Sequence, residues 1–419
     1  MLKSLLERLI RHGRLTVATP LGTLRAGRTG TGHPASHLDI GLRIRNIRTV
    51  LKLATNPDLY LGEAYMDGDL VIERGSLYEF MELLGSNIAA IGQDPNPKVG
   101  QWASKLVGAL SARNDPGKAR ANVAHHYDLS GELYRSFLDS DLQYSCAYFR
   151  HPDDDIEAAQ LAKRQHIAAK LLLAPGQHVL DIGCGWGGLA LFLARTADIR
   201  VTGITLSQEQ LAVARRRAQE AGLADRVSFE LVDYRLLQGQ FDRIVSIGMF
   251  EHVGLPNYET YFGAIKRLLK PDGIAMVHSI GKMYGPAPTS TWILKYIFPG
   301  GYVPALSEVM PAVERQGLWV NDVEVLRLHY AETLRLWRAR FDERWPDLAR
   351  HYDERFRRMW DFYLVGSEIS FRYFGFMVFQ VQLARAVDAA PATRDYIVEA
   401  ERAMRARAER PDDAALAAE

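Results

Sequence analysis

The chain is poor in cysteine, in net charge and in long apolar runs, and each shortage removes a class of protein. Only Cys146 and Cys184 occur in 419 residues, so no disulfide framework holds the fold. Lysine and arginine number 51 against 50 aspartates and glutamates, and no overall field points to a nucleic-acid partner. No stretch reaches the roughly 18 apolar residues of a spanning helix. Near the start, Leu5, Leu6, Leu9 and Ile10 are interrupted by Glu7 and Arg8, which leaves no secretory apolar core. The expectation is a cytoplasmic protein that reaches any membrane substrate from the surface. No internal repeat is visible. His125 and His126 lack further metal-ligand-spaced residues nearby, so no metal site is expected.

What is present is ordinary for a folded protein: 47% hydrophobic and 24% charged residues, over a length that suits two domains. The charge balance fails locally. Residues 1–50 carry Lys3, Arg8, Arg11, Arg14, Arg25, Arg28, Arg43, Arg45 and Arg48 against only Glu7 and Asp39. Such a segment suits an anionic lipid or nucleic-acid surface, and equally a solvated arginine-rich face.

Along the chain, residues 1–20 read as a short amphipathic helix running into the strand LTVATP, followed by short strands and turns from Gly22 to Gly41. The stretch IRTVLKLATNPDLYLGEAYMDGDLVIE reads as a helix, a turn and a second helical or strand pair. GSLYEFMELLGSNI predicts an amphipathic helix with Leu77, Phe80, Met81 and Leu84 on one face. Residues 93–117, with Pro95, Pro97, Asn114, Pro116 and Gly117, read as a linker. A smaller α+β N-terminal domain is therefore expected over residues 1–115. A catalytic domain over 116–400 and a C-terminal tail over 401–419, closing in the low-complexity RPDDAALAAE, complete the expected division. Beyond residue 119 strands and helices alternate, through HVLDIGCG, GGLALFLARTA, IRVTGITLS, QEQLAVARRRAQEAG, VSFELVDY, DRIVSIGMF and IAMVHSIG. That repetition predicts an α/β fold with a mostly parallel sheet.

LDIGCGWGG follows an apolar strand and opens a helix, and Gly183, Gly185 and Gly187 let the backbone approach a ligand closely. A dinucleotide site would place an acidic residue about 20 positions on, at the end of the second strand. Here that strand ends in Gly203, Ile204, Thr205, Leu206 and Ser207, so the dinucleotide reading weakens. Asp233 ends the third strand, where a carboxylate can accept from an adenine amino group. Leu269, Lys270, Pro271, Asp272 and Gly273 read as a turn before the fifth strand. These landmarks fit a class I S-adenosylmethionine-dependent methyltransferase domain of Rossmann-like type.

The strings HHYDLSGELY, LQYSCAYF, VLDIGCGWGGLA, GITLSQEQ, FDRIVSIGMFEHVG, NYETYF, HSIG and WILKYIFPGGYVP resemble those of cyclopropane-fatty-acyl-phospholipid synthases and mycolic acid cyclopropane synthases. GEAYMDGDLVIERGSL resembles the extra N-terminal domain of the bacterial phospholipid enzymes. The resemblance implies S-adenosylmethionine contacts at Tyr144, Ser145, Gly183, Gly185, Thr205, Leu206, Ser207, Gln210, Asp233 and Tyr234, with Gln210 in the ribose role. It also implies a bicarbonate ion held by Cys146, Glu251, His278, Ile280 and Tyr330, Cys146 and Ile280 mainly through backbone. Unsaturated phospholipid in the membrane surface is the implied substrate. A homodimer associated peripherally with the inner face of the membrane is the implied assembly.

The implied chemistry explains these residue types. An isolated alkene attacks a sulfonium methyl only if water is excluded and the two are aligned. The resulting carbocation closes a ring on losing a proton from the added methyl, which needs a base within reach. His278 and Tyr330 are natural donors to a bound anion, and Glu251 would orient it through a shared proton. Tyr144, Tyr148 and Phe149 are candidate cation-facing rings. TWILKYIFPGGYVP suits an acyl tunnel or lid and equally a packed core, while FRYFGFMVFQVQLAR reads as a buried element. The alternative activities are methyl-branched or hydroxylated fatty-acyl products, transfer to a small soluble acceptor, or lipid binding without turnover.

Overall fold

The computed structural model describes residues 2–30, 32–92 and 131–408. The expected linker, the division near residue 115, the His125–His126 pair and residues 409–419 of the expected tail lie outside the described residues. Within them the chain forms two compact units.

The first unit is built on α1 (Leu2–Leu9), β1 (Gly13–Thr19), β2 (Gly22–Arg28), β3 (Asp39–Ile44), α2 (Ile47–Thr55), α3 (Pro57–Met66), β4 (Leu70–Arg74) and α4 (Leu77–Gly92). Its sheet has the order β2-β1-β3-β4, with β1 parallel to β3 and the other pairs antiparallel. Leu15 and Val17 on β1, with Ile40, Leu42 and Ile44 on β3, alternate inward and form the sheet's share of the core. Asn46 and Asn56 cap α2 and α3 by accepting from Thr49 and Leu59, and Pro57 opens α3.

The buried face of α4 is Leu77, Phe80, Leu83 and Asn87, whereas Met81 and Leu84 are only half-buried. The cause is polar. Asn87 accepts from the amides of Arg11 and His12 at 2.8 and 2.9 Å and donates back to the His12 carbonyl at 2.8 Å. Satisfying that loop rotates the helix away from the face the apolar pattern predicts.

The second unit contains α5 (Gly131–Phe137), α6 (Ile156–Lys170), β5 (His178–Ile182), α7 (Gly188–Thr196), β6 (Arg200–Thr205), α8 (Gln208–Glu220), β7 (Val227–Leu231), β8 (Phe241–Ile247), α9 (Tyr258–Leu268) and β9 (Leu269–Lys282). After α10 (Thr291–Tyr296) come α11 (Leu306–Arg315), β10 (Trp319–Leu326), α12 (His329–Leu348), α13 (Glu354–Tyr373), β11 (Phe376–Ala384) and α14 (Asp395–Ala408). The seven-stranded sheet runs β10-β11-β9-β8-β5-β6-β7, with β5 to β9 parallel and β10 antiparallel to β11. Strand order reverses beside β5, the place where such sheets open a ligand crevice at their carboxyl ends.

Three expectations about the chain's path differ from the structure. Residues 282–303 and 330–376 join the N-terminal unit instead of the block 116–400, because α13 packs along α3 and α4, and Trp292 of α10 seats over Gly62. A Cβ at Gly62 would lie 2.3 Å from the Trp292 indole nitrogen, so only glycine allows that approach. Residues 401–408 are helical and belong to α14, so the chain is not a tail there. The segment from Leu269 to Gly273 lies within β9, where the register jumps between Phe241↔Leu269 and Arg243↔Ile274; the extra residues bulge out of the ladder instead of forming a separate turn. FRYFGFMVFQVQLAR ends α13 and becomes β11, a strand enclosed between β10 and β9.

Candidate active site

At the end of β5 the chain turns through Gly183, Gly185 and Gly187, with φ of +81°, +54° and +83°. Gly187 is required by packing, since a Cβ there would sit 2.7 Å from the Phe229 ring. Gly185 is different: a Cβ would meet nothing within 4 Å. Its backbone faces open space, the cradle that a ligand beside a strand-to-helix turn needs. The amides of Gly183 and Cys184 donate to the Ile204 carbonyl at 2.9 and 3.0 Å, which ties the turn to the end of β6.

The segment after β6 is preorganised. Thr205 donates to Gln210 Oε1 at 2.9 Å and accepts from the Ser207 amide at 3.1 Å, while Ser207 caps α8 through the Gln210 amide. Gln210 therefore has its amide oxygen held inward. Leu206 stands 41% exposed beside it, an apolar edge to the open turn. After β7, Asp233 is buried and accepts from Arg235 through the amide and both Nε and Nη2, a tie that sequence reasoning missed. Tyr234 stands edge-on to Tyr261 at 5.5 Å, and burial pushes its hydroxyl up to about 12.

The strap carrying Tyr144, Ser145 and Cys146 is pinned from α6. Lys163 is fully buried and donates to Gln143 Oε1 at 2.7 Å and Ser145 Oγ at 2.8 Å. Gln160 donates to the Gln143 and Ser145 carbonyls at 3.2 and 2.9 Å. Burial lowers the Lys163 ammonium to about 8 despite the opposing pull of Asp139. Asp181 on β5 is raised by burial to about 7 and keeps an enclosed Oδ2 without a partner among the described residues. Tyr144 lies edge-on to Tyr134 at 5.3 Å, and Tyr134 tilts against Trp186 at 5.0 Å, so an aromatic wall stands beside the glycine turn. Tyr148 is committed elsewhere, stacked between His166 at 4.4 Å and His329 at 4.9 Å. The amide of its neighbour Phe149 donates to His329 Nδ1 at 2.9 Å.

Glu251, His278 and Ile280 meet at the ends of β8 and β9. Glu251 Oε1 accepts the Ile280 amide at 2.7 Å, and the Gly248 amide donates to the His278 carbonyl at 2.9 Å. Although Glu251 as a residue is only half-buried, its Oε2 is enclosed and lacks a partner among the described residues. Burial raises the carboxyl to about 7. The ring of His278 is 2% exposed, and burial, then Lys163, Lys170 and His166, hold its pKa well below the ordinary value. Neighbouring His252 is lowered to about 4 by burial alone. Ser145 reaches this corner too, its Cβ 3.9 Å from the position a Gly248 Cβ would take. Cys146 follows it, 1% exposed. Tyr330 belongs to the first unit, where its buried ring lies edge-on to Trp337 at 5.8 Å and tilts on Phe371 at 4.9 Å.

The second unit thus gathers, on the carboxyl ends of adjacent strands, an open glycine turn, an enclosed carboxyl and a neutral imidazole. The orphaned Glu251 oxygen, on a carboxyl raised to about 7, leaves room for a partner that shares a proton with it, and the open Gly185 face leaves room for a ligand at the turn. Among the described residues no group of three His, Cys, Asp or Glu side chains could hold a metal ion, and no helix is long and apolar enough to cross a membrane.

Residues 114–381 match the model of the mycolic acid cyclopropane synthetase family. The cyclopropane-fatty-acyl-phospholipid synthase of Escherichia coli K12 is 39% identical over 349 residues, 83% of this chain and 88% of that protein. The solved cyclopropane synthase MmaA2 of Mycobacterium tuberculosis is 34% identical with a TM-score of 0.60, covering 63% of this chain and 98% of that one. The mycolic acid cyclopropane synthase CmaA1, solved in complex with SAH and CTAB, is 34% identical with a TM-score of 0.59, covering 63% and 97%.

Proposed function

The chain belongs to the mycolic acid cyclopropane synthetase family and is an S-adenosylmethionine-dependent methyltransferase, and from that premise we propose that it builds cyclopropane rings on unsaturated phospholipid acyl chains. The observation that carries the reading is the Glu251 carboxyl: one oxygen committed to the Ile280 amide, two residues along β9 from the neutral His278, the other enclosed and without a partner among the described residues.

S-adenosylmethionine supplies an electrophilic methyl on sulfur. In the proposed reaction the alkene π electrons form a carbon–carbon bond to that methyl as its carbon–sulfur bond breaks, leaving a cation on the second alkene carbon. Loss of a proton from the added methyl then returns an electron pair to that carbon and closes the ring. Bicarbonate, when bound, supplies the base for that proton. Cys146, Glu251, His278 and Ile280, all of the second unit, are proposed to hold it. A Glu251 carboxyl raised to about 7 is partly protonated near neutrality, so its Oε2 can share a proton with an anion that a full carboxylate would repel. Tyr144 and Ser145, Gly183 and Gly185, Thr205 to Ser207, Gln210, Asp233 and Tyr234 are proposed to line the cofactor crevice. Ser145, Cys146 and His278 are buried and help exclude the water that would trap the cation.

The N-terminal unit is proposed to dock on the membrane surface. Arg25, Arg28, Arg45 and Arg48 are exposed there, and Ile47 and Leu51, one turn apart on α2, are 48% and 61% exposed. Apolar residues flanked by arginines suit an anionic lipid surface.

Mass spectrometry of vesicles of cis-unsaturated phospholipid incubated with protein and S-adenosylmethionine tests the reaction. The expected product gains one CH2 per acyl chain and resists hydrogenation. A CH2 gain that still hydrogenates indicates a methylated alkene, and a gain of CH4 or of CH2 plus water a branched or hydroxylated chain. Either result overturns ring closure.

A further inference from the structure

Lys170, Gln380 and His278 form an unbroken buried chain within the second unit. Lys170, at the end of α6, is 1% exposed and donates from Nζ to Gln380 Oε1 at 2.9 Å. Gln380, fully buried on β11, places its Nε2 3.2 Å from His278 Nδ1 on β9. An ammonium can only donate, so the Gln380 oxygen must face Lys170 and its amide nitrogen must face the histidine. That nitrogen also only donates. Nδ1 must therefore accept, and the ring proton resides on Nε2.

We infer that Lys170 and Gln380 are positioning residues that hold His278 as its Nε2–H tautomer, leaving the ring one fixed N–H donor for the reaction's anion. The inference deepens the proposed function and rests on its reading of His278 as a donor. The opposite tautomer would present a lone pair at Nε2 and repel an anion, so a site of this kind needs the tautomer settled before substrate enters.

The charges around the chain agree with that role. From α6, the charges of Lys163, Lys170 and His166 each disfavour a second proton on the His278 ring. From β10, Glu324 pairs with Lys170, and Asp322 lies 3.4 Å from its Nζ. These carboxylates pair with the Lys170 ammonium, and an ammonium, which only donates, keeps the amide from turning over. Gln380 thus insulates His278 from the carboxylates while passing on the orientation of the ammonium. A carboxylate at position 380 would do neither, because it would pull a proton onto Nδ1.

Nitrogen NMR of the full-length protein labelled with 15N-histidine tests this, with the His278→Asn spectrum assigning the signal. Protonated and bare ring nitrogens are distinguished by shift, whatever the activity. His278 is expected to carry its proton on Nε2 from pH 6 to 9. Gln380→Glu is expected to protonate Nδ1 and lower turnover roughly 10–100-fold, with S-adenosylhomocysteine affinity unchanged. Lys170→Met is expected to mix the tautomers and Lys170→Arg to restore one. A wild-type His278 protonated on Nδ1 would overturn the relay, a result that needs no variant to fold. So would a His278 signal indifferent to Gln380→Glu. Wild-type protein with the Nε2–H tautomer but no ring product on cis-unsaturated phosphatidylglycerol vesicles would support the relay and count against the proposed reaction.

Discussion

Glu251 Oε1 accepts the Ile280 amide at 2.7 Å, so one carboxyl both clips the loop after β8 to β9 and offers an enclosed second oxygen. The two roles separate with pH. The carboxyl is raised from 4.5 to about 7 by burial, so at pH 8 the folded state holds a charge it disfavours, while at pH 4 the group is mostly protonated in both folded and unfolded states. Glu251→Gln preserves an acceptor for Ile280 and removes that charge. It is expected to abolish turnover yet stabilise the fold at pH 8, on the order of 1–3 kcal/mol, with no gain at pH 4. Thermal unfolding at the two pH values checks it, and destabilisation at pH 8 would be the contrary result.

Gly185 and Gly187 separate an open face of the turn from a packed one. Gly187→Ala drives a Cβ to 2.7 Å from Phe229, whereas Gly185→Ala meets no atom. Gly185→Ala is expected to cost only about 1 kcal/mol of stability, from its φ of +54°, while weakening S-adenosylhomocysteine binding at least tenfold by calorimetry. Gly187→Ala is expected to cost more, about 2–4 kcal/mol. Equal losses of binding and stability in both variants would remove Gly185 from the cofactor crevice.

Much of the backbone frame of the candidate site is legible in the letters, because glycine turns, strand ends and the Glu251–His252 and His278–Ile280 strings carry local signals. The polar layer beneath it is not. Lys163, His166 and Lys170 recur at helical spacing in IEAAQLAKRQHIAAK, and on pattern alone such a charged face reads as solvated. It is buried instead, because partners arrive from distant positions: Ser145, Glu324, Gln380 and Glu401. The same limit hid the joining of α13 to the N-terminal unit and the turning of α4 by Asn87. Periodicity records how apolar a face is, not which remote polar group will satisfy it.

Lys163 is the strap's anchor, and its removal should be felt at the cofactor. Lys163→Met strips donors from Gln143 and Ser145 and leaves Asp139 and Asp181 without their buried cation. Breaking such a group costs about 3–5 kcal/mol. The expected outcome is a lowered unfolding midpoint in urea together with weaker S-adenosylhomocysteine binding. Unchanged affinity in the folded variant would show that Ser145 and its neighbours do not touch the cofactor.

The docking proposal makes a kinetic prediction. Leu51 is 61% exposed on α2, so Leu51→Asp removes no core packing and should leave stability within about 0.5 kcal/mol. Vesicle co-sedimentation is expected to fall and KM for vesicular lipid to rise severalfold, with kcat unchanged. Co-sedimentation equal to wild type would place the lipid-facing surface elsewhere.

The clamp on α14 ties the second unit's end to pH from both sides. His166 on α6 contacts Glu324 at 2.7 Å and Glu401 of α14 at 2.5 Å. Burial disfavours its charge, but hydrogen bonds to both carboxylates prevail and raise its pKa. Its contribution is therefore complete below the ordinary histidine value of 6.5 and lost as pH rises through the higher folded value. Glu324 titrates far below its ordinary 4.5, because the pull of His166 and Lys170 outweighs burial. Its contribution is present above 4.5 and lost as pH falls through the lower folded value. The two windows overlap between about pH 4.5 and 6.5, where α14 should be held most firmly. Hydrogen exchange of residues 395–408, corrected for intrinsic rates, is expected to be slowest in that range and to quicken towards pH 9. His166→Gln should keep a hydrogen bond but lose the charge, which flattens the alkaline limb. Exchange in α14 that follows the rest of the unit at every pH would show that the clamp has no local effect.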